Sequence, residues 1–571
     1  MDKLFKKSNI KKYFYFVCFF ILCICDQRIG SAAGEIQLVS PNIVLIVLNC
    51  IALSHYPFSD FRRPFFWISA MVFTAGACLA LYLLWPGTVY HYQLISGAFA
   101  GVLYGCVLIQ TARAIISKRR LPGGSHLGVG LLGLLLVLML LSRHDKYNGP
   151  LLCLSILLIF LTDFTSQERD WILRSLAGAV LTAFFVFQGL AFVFRPFDSG
   201  RYLGLYANTN INALFYQIVY CVFLGIFCIL ETKREQSVLK WVSFCFACAM
   251  WSFVMLTMCR SAALGMTVAT VLGFFVVLWK RHEMWVRRTL LYVCSLLLGC
   301  VISFPVVYGA VRYLPAVFHH PVWFEGEYSE WKVHSWDPYD SEKYTDWRDV
   351  IQGNFGRLFP DLANIDLFSQ ETSRAVIPMG LFGDSREGGM PRNLSLTQKW
   401  KAAARRPATA EPQISGNADD CSITEMSPEF GRRYGTVMRS SINARFTIYR
   451  HYLSKLNLWG HEDSENGIQE SENYYAPHAH NIFLQYAFNY GLPAGIVFLV
   501  YLAASGIRLL MFCMWDESGT PFLLGLLLFA AIAAFGMTEI VWRYGQLAHT
   551  LLLLLPCFAW QHMDAAFDKA E

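Results

Sequence analysis

Long apolar runs recur along the chain, separated by short polar turns. Segments near 13–30, 37–54, 64–86, 89–111, 125–142, 149–166, 171–194, 211–231, 239–258, 261–279 and 289–313 each predict a membrane helix. A polar stretch then occupies 314–479, and three more apolar runs follow near 491–513, 520–541 and 546–563. The fifth and sixth segments are short enough to form a single hairpin, so about 12–14 transmembrane helices are expected. Inside the polar stretch, "RSSINARFTIYRHYLSKLNLWG" regains periodicity. Ile442, Phe446, Tyr449, Leu453 and Leu456 alternate spacings of four and three, which predicts an amphipathic helix over 438–457 with Arg445 and Arg450 on its sides.

The expected fold class is therefore an all-α polytopic integral membrane protein: an N-terminal bundle over 1–313, a large extracytoplasmic loop over 314–479, and C-terminal helices over 480–571. Within the loop, 321–365 mixes Trp and Tyr with Asp and Glu. Such rings stack on sugar faces, and they equally well form the core of a small folded lid. Residues 398–428 read as a flexible, low-complexity insert. No internal repeat is visible.

Composition agrees with a membrane protein. Of 571 residues 55% are hydrophobic and only 15% charged, against about 25% charged in soluble domains; mean hydropathy is +0.40. Most of the 17 cysteines fall in apolar runs, where they act as small hydrophobes, and the long polar stretch holds only Cys421. The N-terminus has a basic stretch followed by an apolar one, which fits either a first membrane helix or a signal peptide. Both place residue 35 outside.

Charge sets the expected orientation. "KKSNIKK", "FRRP", "SKRR", "TKREQSVLK" and "KRHEMWVRR" fall on alternate turns, whereas "WPGTVYHY", "RHDKYNGP" and "FRPFDSGRYLGLYANTN" fall on the others. The positive-inside rule then puts both termini in the cytoplasm and the long loop outside the cytoplasmic (inner) membrane. The net charge of +6 is modest and gives no reason to expect nucleic acid.

Candidate chemistry collects on the outward side. Arg201 in "SGRYLGLYANTNINA" and Arg260 in "MCRSAALG" sit where membrane helices meet the outer face. A guanidinium fork fits phosphate oxygens bidentately, and two of them suit a lipid-borne diphosphate. His478, His480 and Asn481 lie where the chain re-enters the membrane. A neutral imidazole beside two arginines suits a general base acting on a sugar hydroxyl. Bland alternatives stand beside each reading: arginines snorkel to headgroups, a lone interfacial histidine hydrogen-bonds structurally, and Asn208, Asn210 and Asn212 cap the next helix. No nucleotide-binding glycine loop occurs, and His478 with His480 are too few for zinc.

Together these segments resemble the bacterial O-antigen ligase and O-antigen polymerase family. "HAHNIFLQYAFNYGLPAG" resembles its C-terminal signature through His480, Asn481 and Gly491. "GRYLGLYANTNINA" resembles its Arg, Gly, Asn-Pro-Asn segment through Arg201, Gly204, Asn208 and Asn210, with Thr209 where proline is common. "MCRSAALG" resembles a helix start of the family through Arg260, Ser261 and Ala262, with Cys259 replacing the usual serine. The external stretch is longer than the family leads one to expect, and "NLWGHEDSENG" is unusually acidic. The likeness covers roughly 170–310 and 435–560.

The resemblance implies a glycosyltransferase fold of the class that uses lipid-phosphate sugars, with an undecaprenyl-diphosphate-linked glycan as donor and a glycan or lipid as acceptor. It implies His480 as base and Arg201 and Arg260 as diphosphate ligands, with Asn210, His478, Asn481 and Arg450 in support, no metal, no cofactor, and inversion at the anomeric carbon. A chain-length regulator or a flippase would be a natural partner. Polymerase and ligase activities both fit, polymerase being favoured. A lipid-linked glycan flippase is the rival of another class, although such transporters show matching halves that are not seen here.

Overall fold

In the computed structural model, the described residues are 7–317 and 441–567, apart from short stretches between elements, together with Trp347, Val350, Ile351 and Asn354. Helices α1 (Lys7–Cys25), α2 (Pro41–Leu53), α3 (Pro64–Leu84), α4 (Leu94–Lys118), α5 (His126–Leu141), α6 (Asn148–Leu161) and α7 (Ser166–Phe194) stand on the first seven apolar segments. They are followed by α8 (Thr209–Thr232), α9 (Val238–Thr257), α10 (Arg260–Arg281) and α11 (Trp285–Val317). Beyond the polar stretch come α12 (Ser441–Ser454), α13 (Ile482–Tyr490), α14 (Leu492–Trp515), α15 (Leu523–Gly536) and α16 (Leu547–Phe567). Three small antiparallel hairpins lie between helices: β1 (Arg28–Ser31) with β2 (Gly34–Gln37), β3 (Phe197–Asp198) with β4 (Arg201–Tyr202), and β5 (Ile468–Ser471) with β6 (Tyr474–Ala476).

The chain is an all-α polytopic membrane protein. Among the described residues, seven helical segments are long and apolar enough to cross a bilayer, and six more are apolar but only 10–17 residues long. The fourteen-residue α15 illustrates the difference. It rises only about 21 Å, and all but two of its residues are buried, so it is an interior helix sheathed by others. The apolar run over 520–541 had promised a longer one. Helix α8 is also central, with 83% of its apolar window buried, against 17% for α11, whose outer face (Leu297, Leu298, Val301, Ile302) suits lipid.

Packing registers fix which ends come together. Gly265 of α10 approaches the Ala531 carbonyl so closely that a Cβ there would stand 2.7 Å from the oxygen, while Gly273 meets the Leu527 side chain. Rising numbers on α10 thus meet falling numbers on α15, and the two run antiparallel. The same holds for α8, where Cys221 Sγ lies 3.6 Å from the Leu527 carbonyl and Gly225 meets Leu524. The starts of α8 and α10 therefore share one end of the bundle with the end of α15. At the other end Glu231 accepts from Lys240 Nζ (3.1 Å), Tyr292 (2.8 Å) and Arg281, clamping the ends of α8 and α10 to the starts of α9 and α11. Lys240 and Arg281, which belong to two of the basic turns, lie at this second end.

Compactness separates residues Met1–Leu358 with Ser441–Glu571 from Phe359–Ser440. Helix α12 therefore falls in the same compact unit as the bundle. The insert at 398–428 lies outside the described residues. So does 321–365 apart from four residues, of which Val350 is fully buried in the main core and Asn354 donates to the Met255 carbonyl (2.9 Å).

Candidate functional site

Helix α12 is seated first. Ile448 and Tyr452 form a small separate core with Ala479 and Phe488, and the Tyr452 and Phe488 rings meet edge to face at 4.7 Å. Arg445 and Tyr449, one turn apart, then reach the residues around α13 and α15. Tyr449 donates to the carbonyls of His480 (3.1 Å) and Met537 (3.3 Å), and Arg445 Nη2 donates to Glu539 Oε1 (3.0 Å). Burial raises the Tyr449 phenol above its ordinary range, so it remains a donor. Arg450 lies exposed further along the helix.

Asn481 is the N-cap of α13. Its Oδ1 accepts from the Leu484 N–H (3.0 Å) and its Nδ2 donates to the Met537 carbonyl (2.9 Å), so it tethers α13 to the chain leaving α15. The preceding residue, His480, has φ of +47°. For a side chain larger than glycine this left-handed conformation costs of order 1–3 kcal/mol and persists only where the surroundings impose it.

The strained backbone aims the His480 imidazole at Glu539, with Nδ1 3.3 Å from Oε2. Glu539 is buried, which raises the pKa of its carboxyl, but the hydrogen bond and charge of His480 prevail, with Arg445 and His478 adding to them, and hold it below the ordinary range. The carboxylate is therefore ionised at neutral pH and accepts from His480 Nδ1–H, which leaves Nε2 as the ring nitrogen not engaged by Glu539. The His478 ring lies 4.2 Å from that of His480.

Glu539 also completes a set that the sequence did not reveal. His478, His480 and Glu539 each offer one ligand atom, all within 4.8 Å of one another. Two histidines separated by Ala479 are too few for zinc; the third group comes from 59 residues beyond His480. Arg445 nevertheless occupies the second oxygen of the carboxylate, and its charge disfavours a dication there.

The two predicted arginines lie at the end of α9 and the start of α10. Arg201 opens β4, and its Nε donates to the Thr257 carbonyl (2.7 Å) while Nη2 donates to Asn210 Oδ1 (2.9 Å). Asn210 thus orients the guanidinium, whereas Asn208 lies outside the described residues. Gly204, with φ of +61°, supplies the turn after Arg201. Met258, at φ of +52°, caps α9 and makes the turn to α10 so tight that Arg260 is the first residue of that helix, exposed at its N-terminus. That position favours anions. Between these groups the Cys259 thiol is pushed up to about 11 by burial and by the charge of Glu539, with Arg201 opposing. Arg201 and Glu539 therefore act on one neighbourhood. No family model, curated protein or solved structure matches the chain.

Proposed function

We propose that the protein is a membrane glycosyltransferase that transfers or polymerises an undecaprenyl-diphosphate-linked oligosaccharide, in the manner of the O-antigen polymerases and ligases. The observation that carries this reading is that the His480–Glu539–Arg445 line shares one end of the bundle with Arg201 and the start of α10. Lys240 and Arg281, from two of the basic turns, lie at the opposite end, and the positive-inside rule then supports an outward-facing site and cytoplasmic termini.

In the transfer step His480 Nε2 removes the proton from an acceptor sugar hydroxyl. The hydroxyl oxygen attacks the anomeric carbon as the bond from that carbon to the diphosphate oxygen breaks, inverting the centre. The electron pair leaves on the lipid diphosphate, whose charge Arg201 and Arg260 stabilise. Glu539 holds the His480 ring and balances the imidazolium that forms.

The test compares glycans from cells carrying wild-type protein, a deletion, and His480→Ala. A polymerase deletion leaves single repeats on the normal acceptor, and His480→Ala copies it while the protein stays abundant. Long chains retained on the carrier lipid would identify a ligase. Single units trapped on the cytoplasmic leaflet would identify a flippase, and normal glycan in His480→Ala would remove the proposed base.

A further inference from the structure

Behind the strained histidine a line of buried hydrogen bonds crosses from α13 to the turn between α5 and α6. The Ala479 N–H donates to Gln485 Oε1 (2.8 Å), and Gln485 Nε2 donates to Asn489 Oδ1 (2.7 Å). Asn489 Nδ2 then lies 2.9 Å from His144 Nε2, and His144 Nδ1 lies 3.2 Å from the His461 carbonyl. Gln485, Asn489 and His144 are at most 4% exposed.

The ends of this line fix its polarity. A backbone N–H can only donate and a carbonyl can only accept, so both amides are oriented without ambiguity, and His144 must carry its proton on Nδ1 and accept on Nε2. The far end is itself held. His461 stacks on Phe488 with ring centroids 3.9 Å apart, and its backbone N–H donates to the Asn489 carbonyl (3.2 Å). The near end is the His478–Ala479 peptide, one residue before His480. Downstream, that residue's carbonyl and the Asn481 side chain are held by Tyr449 and Met537. The line through Gln485 is the upstream restraint, and two restraints are what a left-handed histidine needs.

We propose that His144, Asn489 and Gln485 form a polarised relay that positions His480, setting the conformation from which its imidazole reaches Glu539. None of the three touches the proposed substrates; they are positioning residues. The inference rests on the glycosyltransferase reading for its kinetic consequence but not for its structural one.

The test uses full-length protein in membranes and two readouts: transfer kinetics, and the rate at which diethyl pyrocarbonate acylates His480, followed by mass spectrometry. At 26% side-chain exposure His480 is open to the reagent. Gln485→Met, which keeps the volume and removes the acceptor, is expected to lower kcat by ~10–100-fold with little change in donor KM, and to alter His480 acylation. His144→Phe is expected to do the same. His144→Gln restores one acceptor and one donor and is expected to recover both readouts towards wild type.

Wild-type kcat and acylation in both Gln485→Met and His144→Phe would overturn the relay. So would a His144→Gln protein as impaired as His144→Phe, because the residue would then act through its ring volume. A wild-type protein that transfers no glycan would remove the enzymatic reading, while the acylation rates would still decide the relay.

Discussion

His480 faces Glu539 across 3.3 Å, and Arg445 holds the other oxygen of the same carboxylate at 3.0 Å. A base oriented in this way depends on its partner less than on itself. His480→Ala is expected to lower transfer by ~10²–10⁴-fold, the usual contribution of general acid–base catalysis. Glu539→Gln keeps an acceptor for Nδ1–H but loses the charge that balances the imidazolium, so a smaller loss is expected. Initial rates on a lipid-linked donor in membranes of matched protein content measure both. Equal rates in Glu539→Gln and wild type would remove the carboxylate from the mechanism.

The arginines differ in how they are held, and their variants should differ accordingly. Arg201 spends its Nε and one terminal nitrogen on Thr257 and Asn210, in a planar geometry that an ammonium group does not reproduce. Arg201→Lys is therefore expected to be nearly as defective as Arg201→Ala. Arg260 is exposed at the first position of α10, where a bound anion gains from the helix terminus and a lysine would still add its positive charge to that attraction. Arg260→Lys is expected to retain more activity than Arg260→Ala, with the loss mainly in donor KM. A reversed ranking between the two sites would show that their roles in donor binding have been exchanged or misassigned.

Much of this arrangement was legible in the sequence. A helix stands on each of the fourteen apolar runs, and α12 lies within its predicted range, because apolar length and a 3.6-residue period are local signals. His480, Arg201 and Arg260 stood out as charged or titratable groups at helix ends. Glu539 did not, because its partners Arg445 and His480 are 94 and 59 residues away and only the fold brings them together. Its one local signal was an acidic residue in the short polar stretch "GMTEIVWRYGQ" between two apolar helices. Asn481 had looked like part of a signature for chemistry, yet its two hydrogen bonds are those of a cap and a tether. Gln485 and Asn489 are polar residues within an otherwise apolar run, and no local pattern joins them to the distant His144, which only the fold brings to them.

Metal dependence follows from the charges around the imidazoles. His478, His480 and Glu539 are close enough to share an ion, but Arg445 is already paired with the carboxylate. Transfer is expected to be unchanged by a chelator such as EDTA. Loss of activity on chelation, restored by one added divalent ion and not by others, would instead assign these three residues a metal-binding role.

The junction of the 457–461 turn with the start of α14 sets the height of α13. Gly460 (φ +74°) and Gly491 (φ +94°) pass so closely that a Cβ on Gly460 would fall on the Asn489 carbonyl and one on Gly491 on that of Leu458. Gly460→Ala combines a left-handed backbone with a backbone clash, each costing more than about 1 kcal/mol. Thermal unfolding in detergent is expected to shift down by several degrees. By contrast, Gly130→Ala on α5, where a Cβ would meet nothing within 4 Å, is expected to hold or slightly raise the unfolding temperature, since alanine suits a helix interior better than glycine.

Acid sensitivity has a definite sign. The folded-state pKa of Glu539 lies below its unfolded value because His480 and Arg445 outweigh the opposing effect of burial. Its contribution to stability is therefore fully present above the unfolded carboxylate value of about 4.3 and is lost as pH falls through the folded-state value. The wild-type protein is expected to lose stability on that acid limb. Glu539→Gln, which binds no proton in this range, is expected to start less stable at neutral pH and to show a shallower acid limb, read from unfolding temperatures between neutral pH and about pH 2, so that the scan passes below the unfolded carboxylate value. Parallel curves for the two proteins would mean that Glu539 is not held as an ion by its neighbours, and the orientation of His480 would then need another source.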